Sequence, residues 1–423
     1  MSNTPIPPEW SWVNLSSLTA ELESGGRPKG GVRGITDGVP SIGGEHLTKD
    51  GGFDFSSIRY VPKTFADKLT RGWIKPEDIL IVKDGATTGK TSFIDTSFPF
   101  PSAIVNEHVF RLRGNQNIIL QKYLFYFLYS QIGQEMILSA FRGSAQGGIN
   151  QGFQEAVDIP IPFYDNPTKS IETQSNIVQR LEGVLIEIRR AQDLHNSIGV
   201  NINSIFNIAL ENVIDEVLLS SPISLPLNDF GTAFNGRAGK SGKSEIRVYK
   251  TKHVYPFSLK DTDPSYLESD KVEKYPADRF LRKDDVLICN IGRGVLGRVC
   301  YVDEILNEKN TVDTSIMILR TDNRCLGNWL AFYLYSKRGQ KDILAREKGI
   351  RFADLRGQTH LYPRDMLSVE IPLPPINIQQ RIVTYLKAVI DETIEIKKAH
   401  KENSELLTQL KQSFLIQAFR GEL

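Results

Sequence analysis

IPLPPINIQQRIVTYLKAVI, residues 371–390, is the stretch whose reading decides the fold. Prolines lead in, glutamines follow, and apolar residues then recur at helical spacing. The chain carries the same stretch a second time: residues 159–186 read IPIPFYDNPTKSIETQSNIVQRLEGVLI. Ile159, Pro160 and Pro162 match Ile371, Pro372 and Pro374. Gln174, Ile177, Val178, Leu181 and Val184 match Gln379, Ile382, Val383, Leu386 and Val389. The upstream copy is longer between its prolines and its glutamine, around Asp165 to Ser170. One unit used twice is therefore the first expectation.

Each copy opens a long heptad pattern. The first seam runs Ile177, Leu181, Val184, Ile188, Ala191, His195, Ile198, Ile202, Ile205, Ala209. The second runs Ile382, Leu386, Val389, Thr393, Ile396, His400, Asn403, Leu407, Leu410, Phe414. Sustained four-three spacing predicts a coiled coil of two helices. Each would hold roughly 40 residues and span about 60 Å. The plainer alternative is two amphipathic helices packed on separate cores. A repeated half-molecule implies a pseudo-two-fold axis, and such an axis favours antiparallel helices.

The rest of the chain repeats in the same order. EDILIVKDGATTGKTSFID, from Glu77, matches DDVLICNIGRGVLGRVCYVDE, from Asp284. Each predicts a strand, a glycine turn and a second strand. KYLFYFLYSQIGQEMI, from Lys122, matches NWLAFYLYSKRGQKDI, from Asn328, and both have helical spacing. Ser413 and Ala418, near the end of the second helix, are aligned on Ser204 and Ala209. The expected class is α/β (α+β), with two homologous domains, 1–160 and 220–372, each followed by a helix, 161–219 and 373–423.

Composition narrows the function. With 423 residues and 40% hydrophobic content the chain can build several globular cores. Its amino terminus lacks a signal pattern and its longest apolar run, Tyr123 to Tyr129, is too short to span a bilayer. Three scattered cysteines, Cys289, Cys300 and Cys325, do not make a disulfide framework. A reducing cytoplasm is the expected compartment. A net charge of +1 excludes a polycation, so any binding to nucleic acid must use local patches.

Catalytic motifs fail on inspection. Gly292, Gly294 and Gly297 spell G-x-G-x-x-G, but strand-like RVCYVDE follows where a dinucleotide site needs a helix. GATTGKT, from Gly85, is one residue short of a phosphate loop, and its counterpart lacks the Lys-Thr. The histidines show no zinc spacing, and neither a Gly-x-Ser-x-Gly nor an amino-methyltransferase tetrapeptide is present. The expected metal and cofactor content is none, and the chain is expected to be no enzyme.

What recurs is basic, glycine-rich loops. Solvated surface is the plain reading of any single loop. Their recurrence in both copies favours contact with nucleic acid, since glycine admits a phosphate and arginine can bond guanine twice. The candidates in the first half are Arg27, Lys29, Arg33, Gly43, Gly44, His46, Lys83, Lys90, Arg142 and Gln146. In the second they are Arg237, Lys240, Lys243, Lys250, Lys252, Arg293, Arg298, Arg351, Arg356, Gln358 and His360.

With both halves laid out, the chain resembles the DNA-specificity subunit of type I restriction–modification systems. SIGGEHL, EDILIVKDGATTGK, IPLPPINIQQRIVTYL with its earlier copy, and the closing AFRGEL carry the resemblance. It implies sequence-specific binding of a split double-stranded DNA target, each domain reading one half. It implies helices that act as a ruler and dock two methyltransferase subunits, which bring the S-adenosylmethionine site, with restriction and translocase subunits joining through them. Pro160, Pro162, Gln174, Pro372, Pro374, Gln379 and Arg381 are the expected docking residues. One departure is visible: the family's Glu-Gln reads Thr173-Gln174 and Ile378-Gln379 here. A coiled-coil scaffold that spaces two proteins and touches no DNA is the alternative from another class.

Overall fold

The computed structural model describes residues 5–143, 147–220, 223–238, 242–260, 262–292, 294–304, 309–349 and 359–423. It divides into two compact units, Met1–Asn196 with Lys401–Leu423, and Ser197–His400.

The first unit is built on a four-stranded antiparallel sheet. Its strands lie in the order Thr19–Ser24, Val109–Gly114, Ile79–Val82, Thr91–Phe93. Ile79, Ile81, Phe110 and Leu112 turn one face into the core, and Leu80, Val82 and Val109 turn the other into a smaller cluster. A three-stranded sheet, Arg59–Val61, Val39–Ile42, Ile104–Val105, stands beside it. Trp10–Asn14 pairs with Asp158–Pro162 and ties the chain start to the proline motif. That strand crosses the expected domain boundary at residue 160, because Ile159 and Ile161 belong to the domain core.

The second unit repeats every part. Gly231–Asn235, Ile316–Thr321, Val286–Cys289 and Val299–Tyr301 form its four-stranded sheet in the same order. Ser265–Tyr266, Arg247–Tyr249 and Asn310–Val312 form its three-stranded sheet, again with one parallel pair. Ser224–Pro226 pairs with Glu370–Pro372. The two glycine turns are hairpins, as expected. Gly85 and Gly89 sit at φ +87 and +87, and Gly292 and Gly297 at +116 and +79, where a side chain would be strained.

The helical stretch from Lys122 is two helices, Gln121–Tyr129 and Gln131–Ser139. Ser130 breaks it: its backbone is extended and its hydroxyl accepts the Gly133 N–H. Ser336 does the same between Gly327–Tyr335 and Lys337–Leu344. A Cβ on Gly133 or Gly339 would stand 2.1 Å from a carbonyl oxygen, so both turns require glycine.

The long helices differ from the expected continuous pair. The first is Pro167–Ile202 and Ile205–Ser220, interrupted at Asn203–Ser204; the second runs unbroken from Ile376 to Phe419. In each unit the opening turns of one helix and the closing turns of the other share a core. Ile177, Val178 and Leu181 meet Leu415, Ala418 and Phe419 in the first, and Val383 and Leu386 meet Leu210, Ile214 and Val217 in the second. The heptad seam holds at the helix starts and then slips by one residue. Ile205 and Leu410, expected inside, are exposed, while Leu210 and Leu415 are buried. The closing turns therefore align Leu415 on Leu210, in the same register as Gln379 on Gln174. The expected match of Ala418 to Ala209 is displaced. Lys411 lies 4.7 Å from the Tyr129 ring, just as Phe206 packs against Tyr335. Within the second unit, His400 sits against Gly199, where a Cβ would come within 2.9 Å of the imidazole.

Candidate nucleic-acid interface

Each unit carries its candidate loops on one construction. In the first, Gly43 N–H donates to His46 Nδ1 at 2.9 Å, and the other ring nitrogen lies 3.3 Å from the Ser57 carbonyl. In the second, Lys250 N–H donates to His253 Nδ1 at 2.8 Å, and His253 Nε2 faces the Asp263 carbonyl at 3.2 Å. Both imidazoles are wholly buried. Burial first, with Lys252 and Arg247 nearby, holds His253 below the ordinary imidazole value. His46 is thus a loop pin and not the DNA contact expected of it. His253, its counterpart, carries little signal in the sequence, because YKTKHV resembles SIGGEHL only in the spacing of its histidine.

Gly43 and Gly44 are buried as well. A Cβ on Gly44 would stand 3.0 Å from Val82, so these glycines serve the close approach of loop and sheet. Lys90 is a strut whose ammonium donates to the Leu47 carbonyl at 2.7 Å. Arg298 does the same in the second unit, donating to the Val254 carbonyl at 3.0 Å. Both tie the glycine hairpin to the histidine loop, and those donors are committed inside the protein.

Arg27, Lys29, Arg33 and Arg142 are exposed in the first unit, and Arg237, Lys243 and Lys252 in the second. Lys252 pairs with Asp263. Lys83, Lys250 and His360 are half-buried; Lys83 lies 5.8 Å from the Phe110 ring and His360 stacks on Tyr362. Gln146, Lys240, Arg293, Arg351, Arg356 and Gln358 lie outside the described residues.

The expected docking residues are corrected more sharply. Pro160, Pro162, Gln174, Pro372, Pro374 and Gln379 are all buried, and only Arg381 of the set is exposed. The Gln174 carbonyl oxygen accepts the Leu120 N–H at 2.9 Å, and its amide donates to the Ile118 carbonyl at 3.0 Å. Gln379 repeats this on Leu326 N–H and the Arg324 carbonyl, each at 2.9 Å. Each glutamine therefore fastens its long helix to the start of the neighbouring helix, where neither Leu120 nor Leu326 has a side-chain cap. The prolines are held the same way: Tyr123 Oη donates to the Pro160 carbonyl at 2.7 Å, and Trp329 Nε1 to the Pro372 carbonyl at 3.0 Å.

Burial pushes the thiols of Cys289, Cys300 and Cys325 up to about 12, far from a poised nucleophile. Among the described residues there is no cluster of three or more His, Cys, Asp or Glu that could hold a metal, and no helix is long and apolar enough to cross a membrane.

Comparison with known proteins agrees with the repeated architecture. A family model described as "Type I restriction modification DNA specificity domain" matches residues 43–197 and again 224–406. The chain is 21% identical, over its whole length and 91% of the relative's, to the type I restriction enzyme StySPI specificity subunit of Salmonella potsdam. A solved structure concerning complex assembly and conformational transition of the type I R-M system superposes with a TM-score of 0.74 at 18% identity, covering 99% of both chains. The HsdS subunit from Thermoanaerobacter tengcongensis superposes with a TM-score of 0.59 at 18% identity, over 99% of this chain and 98% of that one. With its family domain present twice and the same frame built in both units, the chain belongs to the type I restriction–modification DNA-specificity family.

Proposed function

We propose that this chain is the non-catalytic subunit that reads a bipartite DNA target for a type I restriction–modification complex, one unit to each half-site. The observation that carries the reading is that the two units share their buried frame while their loop side chains differ: Glu45, Glu107 and His108 of the first stand where the second has Lys252, Thr314 and Ser315. Recognition of two different half-sites by one fold requires that division.

In this reading the exposed Lys29, Arg33 and Lys243 supply phosphate contacts, which position the protein and make binding salt-dependent. The exposed surface of the long helices, with Arg381, docks the modification subunits, while the buried prolines and glutamines set the helix angle beneath it. Restriction subunits join through those modification subunits, and the site of action is the cytoplasm.

Exchange of residues 222–370 for those of a relative tests the reading. Selection of bound duplexes from a random library should then yield a target with one half replaced and the other kept. A target that changes in both halves together, or a chain that selects no sequence, would refute it.

A further inference from the structure

A cleft of about 90 Å³ opens in the first unit between the basic loop after Ser24 and the three-stranded sheet. Arg27, Glu45, Arg59, Glu107 and His108 are its charged and titratable lining. That volume admits the edge of a base pair and not an extruded nucleotide.

The walls are fixed by backbone. A Cβ on Gly25 would stand 1.5 Å from the Val105 carbonyl oxygen, so the loop touches the sheet there. Asn106 N–H donates to the Ile42 carbonyl at 2.9 Å, and the Asn106 side chain accepts from His108 N–H at 2.9 Å. His108 is held on this rigid frame by Asp84 at 2.6 Å, while the arginines and glutamates are loosely engaged. Arg27 pairs with Glu107 at 3.4 Å and Arg59 with Glu45 at 3.3 Å, and each arginine side chain remains more than half exposed. Ion pairs of that kind contribute little in water, so their donors and acceptors can be exchanged for others at little cost.

The second unit supplies the comparison. Its frame is the same, with Gly236 against the Val312 carbonyl and the Asp313 side chain accepting from Ser315 N–H. Yet by sheet register Arg27, Glu45, Arg59 and Glu107 become Ala238, Lys252, Ser265 and Thr314. The frame is kept while its lining is exchanged, as two different half-sites would require. These four all change charge class.

We propose that this cleft is the base-reading pocket of the first unit, in which Arg27 and Arg59 donate to guanine O6 and N7 and Glu107 accepts the one N–H of the cytosine amino group that base pairing leaves free, while Glu45 holds Arg59. The proposal rests on the DNA-recognition reading above. Two carboxylates beside two guanidinium groups argue for base edges over backbone, because a phosphate would be repelled by the carboxylates. A major-groove edge of a G·C pair offers acceptors and a donor side by side, which is the complement of this lining.

The test selects duplexes from a random library with the intact complex carrying Arg59→Lys or Glu107→Gln. Arg59→Lys keeps the charge and removes the planar fork. The expected result is a roughly ten- to hundredfold loss of preference at one base pair of one half-site, with the other half-site unchanged. The retained half-site also certifies that the protein has folded. Uniform weakening with every base preference intact would overturn the proposal in favour of phosphate contacts. Preferences that both variants leave untouched would overturn it too. A wild-type complex that selects no split target would sink the recognition reading itself, and the pocket with it.

Discussion

The two units solve one problem on the same strand pair in opposite ways. In the first, Arg111 is 2% exposed in the middle of the sheet and is held by Glu21 at 2.5 Å, Glu23 at 2.8 Å and Asp78 at 3.3 Å. In the second, the register places Thr232, Phe234 and Ile318 where the first has Glu21, Glu23 and Arg111. Only the outer pair survives: Arg113 holds Asp78 at 2.7 Å, as Arg320 holds Asp285. Arg279 and Arg320 then stack on the Phe234 ring, at 4.3 and 5.2 Å. A charge network around one buried arginine in the first unit thus occupies the place of an apolar and stacked cluster in the second. The long helices teach the same lesson, with Lys411 against Tyr129 in one unit and Phe206 against Tyr335 in the other.

The sharpest way to break the comparison is to remove half of the network. Arg111→Ala leaves Glu21 and Glu23 facing a void beside buried Asp78 and should cost about 3–5 kcal/mol. The triple variant Glu21→Thr, Glu23→Phe, Arg111→Ile imports the second unit's solution. It should be neutral or stabilising by up to about 4 kcal/mol. Hydrogen exchange at the amides of Ile79–Val82 reports the stability of this sheet. Loss of protection in the triple variant equal to that in Arg111→Ala would show that the units are not interchangeable at this position.

The glutamines are the opposite case, a device kept in both units. Gln174→Ala and Gln379→Ala each leave a part-buried N–H and a part-buried carbonyl without their partners and should cost about 0.5–1.5 kcal/mol apiece. The two losses should be equal within error in denaturant unfolding of each variant. A loss at one site alone would mean that the repeat is geometric and not energetic.

Acid separates the units more gently. The Arg111 hydrogen bond holds Glu21 below its usual 4.5, against the opposing pull of burial. Its stabilising contribution is complete above the unfolded value and is lost as pH falls through the folded one. Burial foremost lifts Asp78, against the opposing pull of the Lys75 amide and both arginines, and a raised carboxyl acts in the other direction. Its protonation relieves the native state as pH drops. Glu21 is 37% exposed, so the net effect is small. Between pH 5 and 3 the melting temperature of the wild type should fall more than that of the triple variant. Identical slopes would remove Glu21 from the account.

Most of the frame was legible in the residues. The proline-glutamine motif, the glycine hairpins and the order of elements were all visible because each is a local pattern that occurs twice. Periodicity failed where a single side chain overrides it. Ser130 and Ser336 split helices whose apolar spacing runs on without a break, and the seam slips by one residue before Leu415 and Leu210. The site was legible only as chemistry. Arginine, lysine and glycine in loops pointed to DNA, but spacing could not separate struts such as Lys90 from free donors such as Arg33. Nor could it bring Glu45, Arg59 and Glu107 to one cleft, since strand register makes that meeting.

The smallest effect sharpens the comparison of the helices. Gly183 lies inside the helix Pro167–Ile202, and nothing stands within 4 Å of where its Cβ would be. In the shared register the second helix has Ala388 at this place. A glycine on an open helical face costs about 0.8–1.0 kcal/mol relative to alanine, through backbone freedom in the unfolded chain. Gly183→Ala should therefore stabilise the first unit by about that amount. Gly199, in the same helix, is the control: its new Cβ would press on His400 at 2.9 Å, and the gain from helix propensity must first move that ring. Gly199→Ala should stabilise less than Gly183→Ala in thermal unfolding. If Gly199→Ala gained as much, His400 would be free to swing away, and its seat against Gly199 would contribute nothing to holding the second unit together.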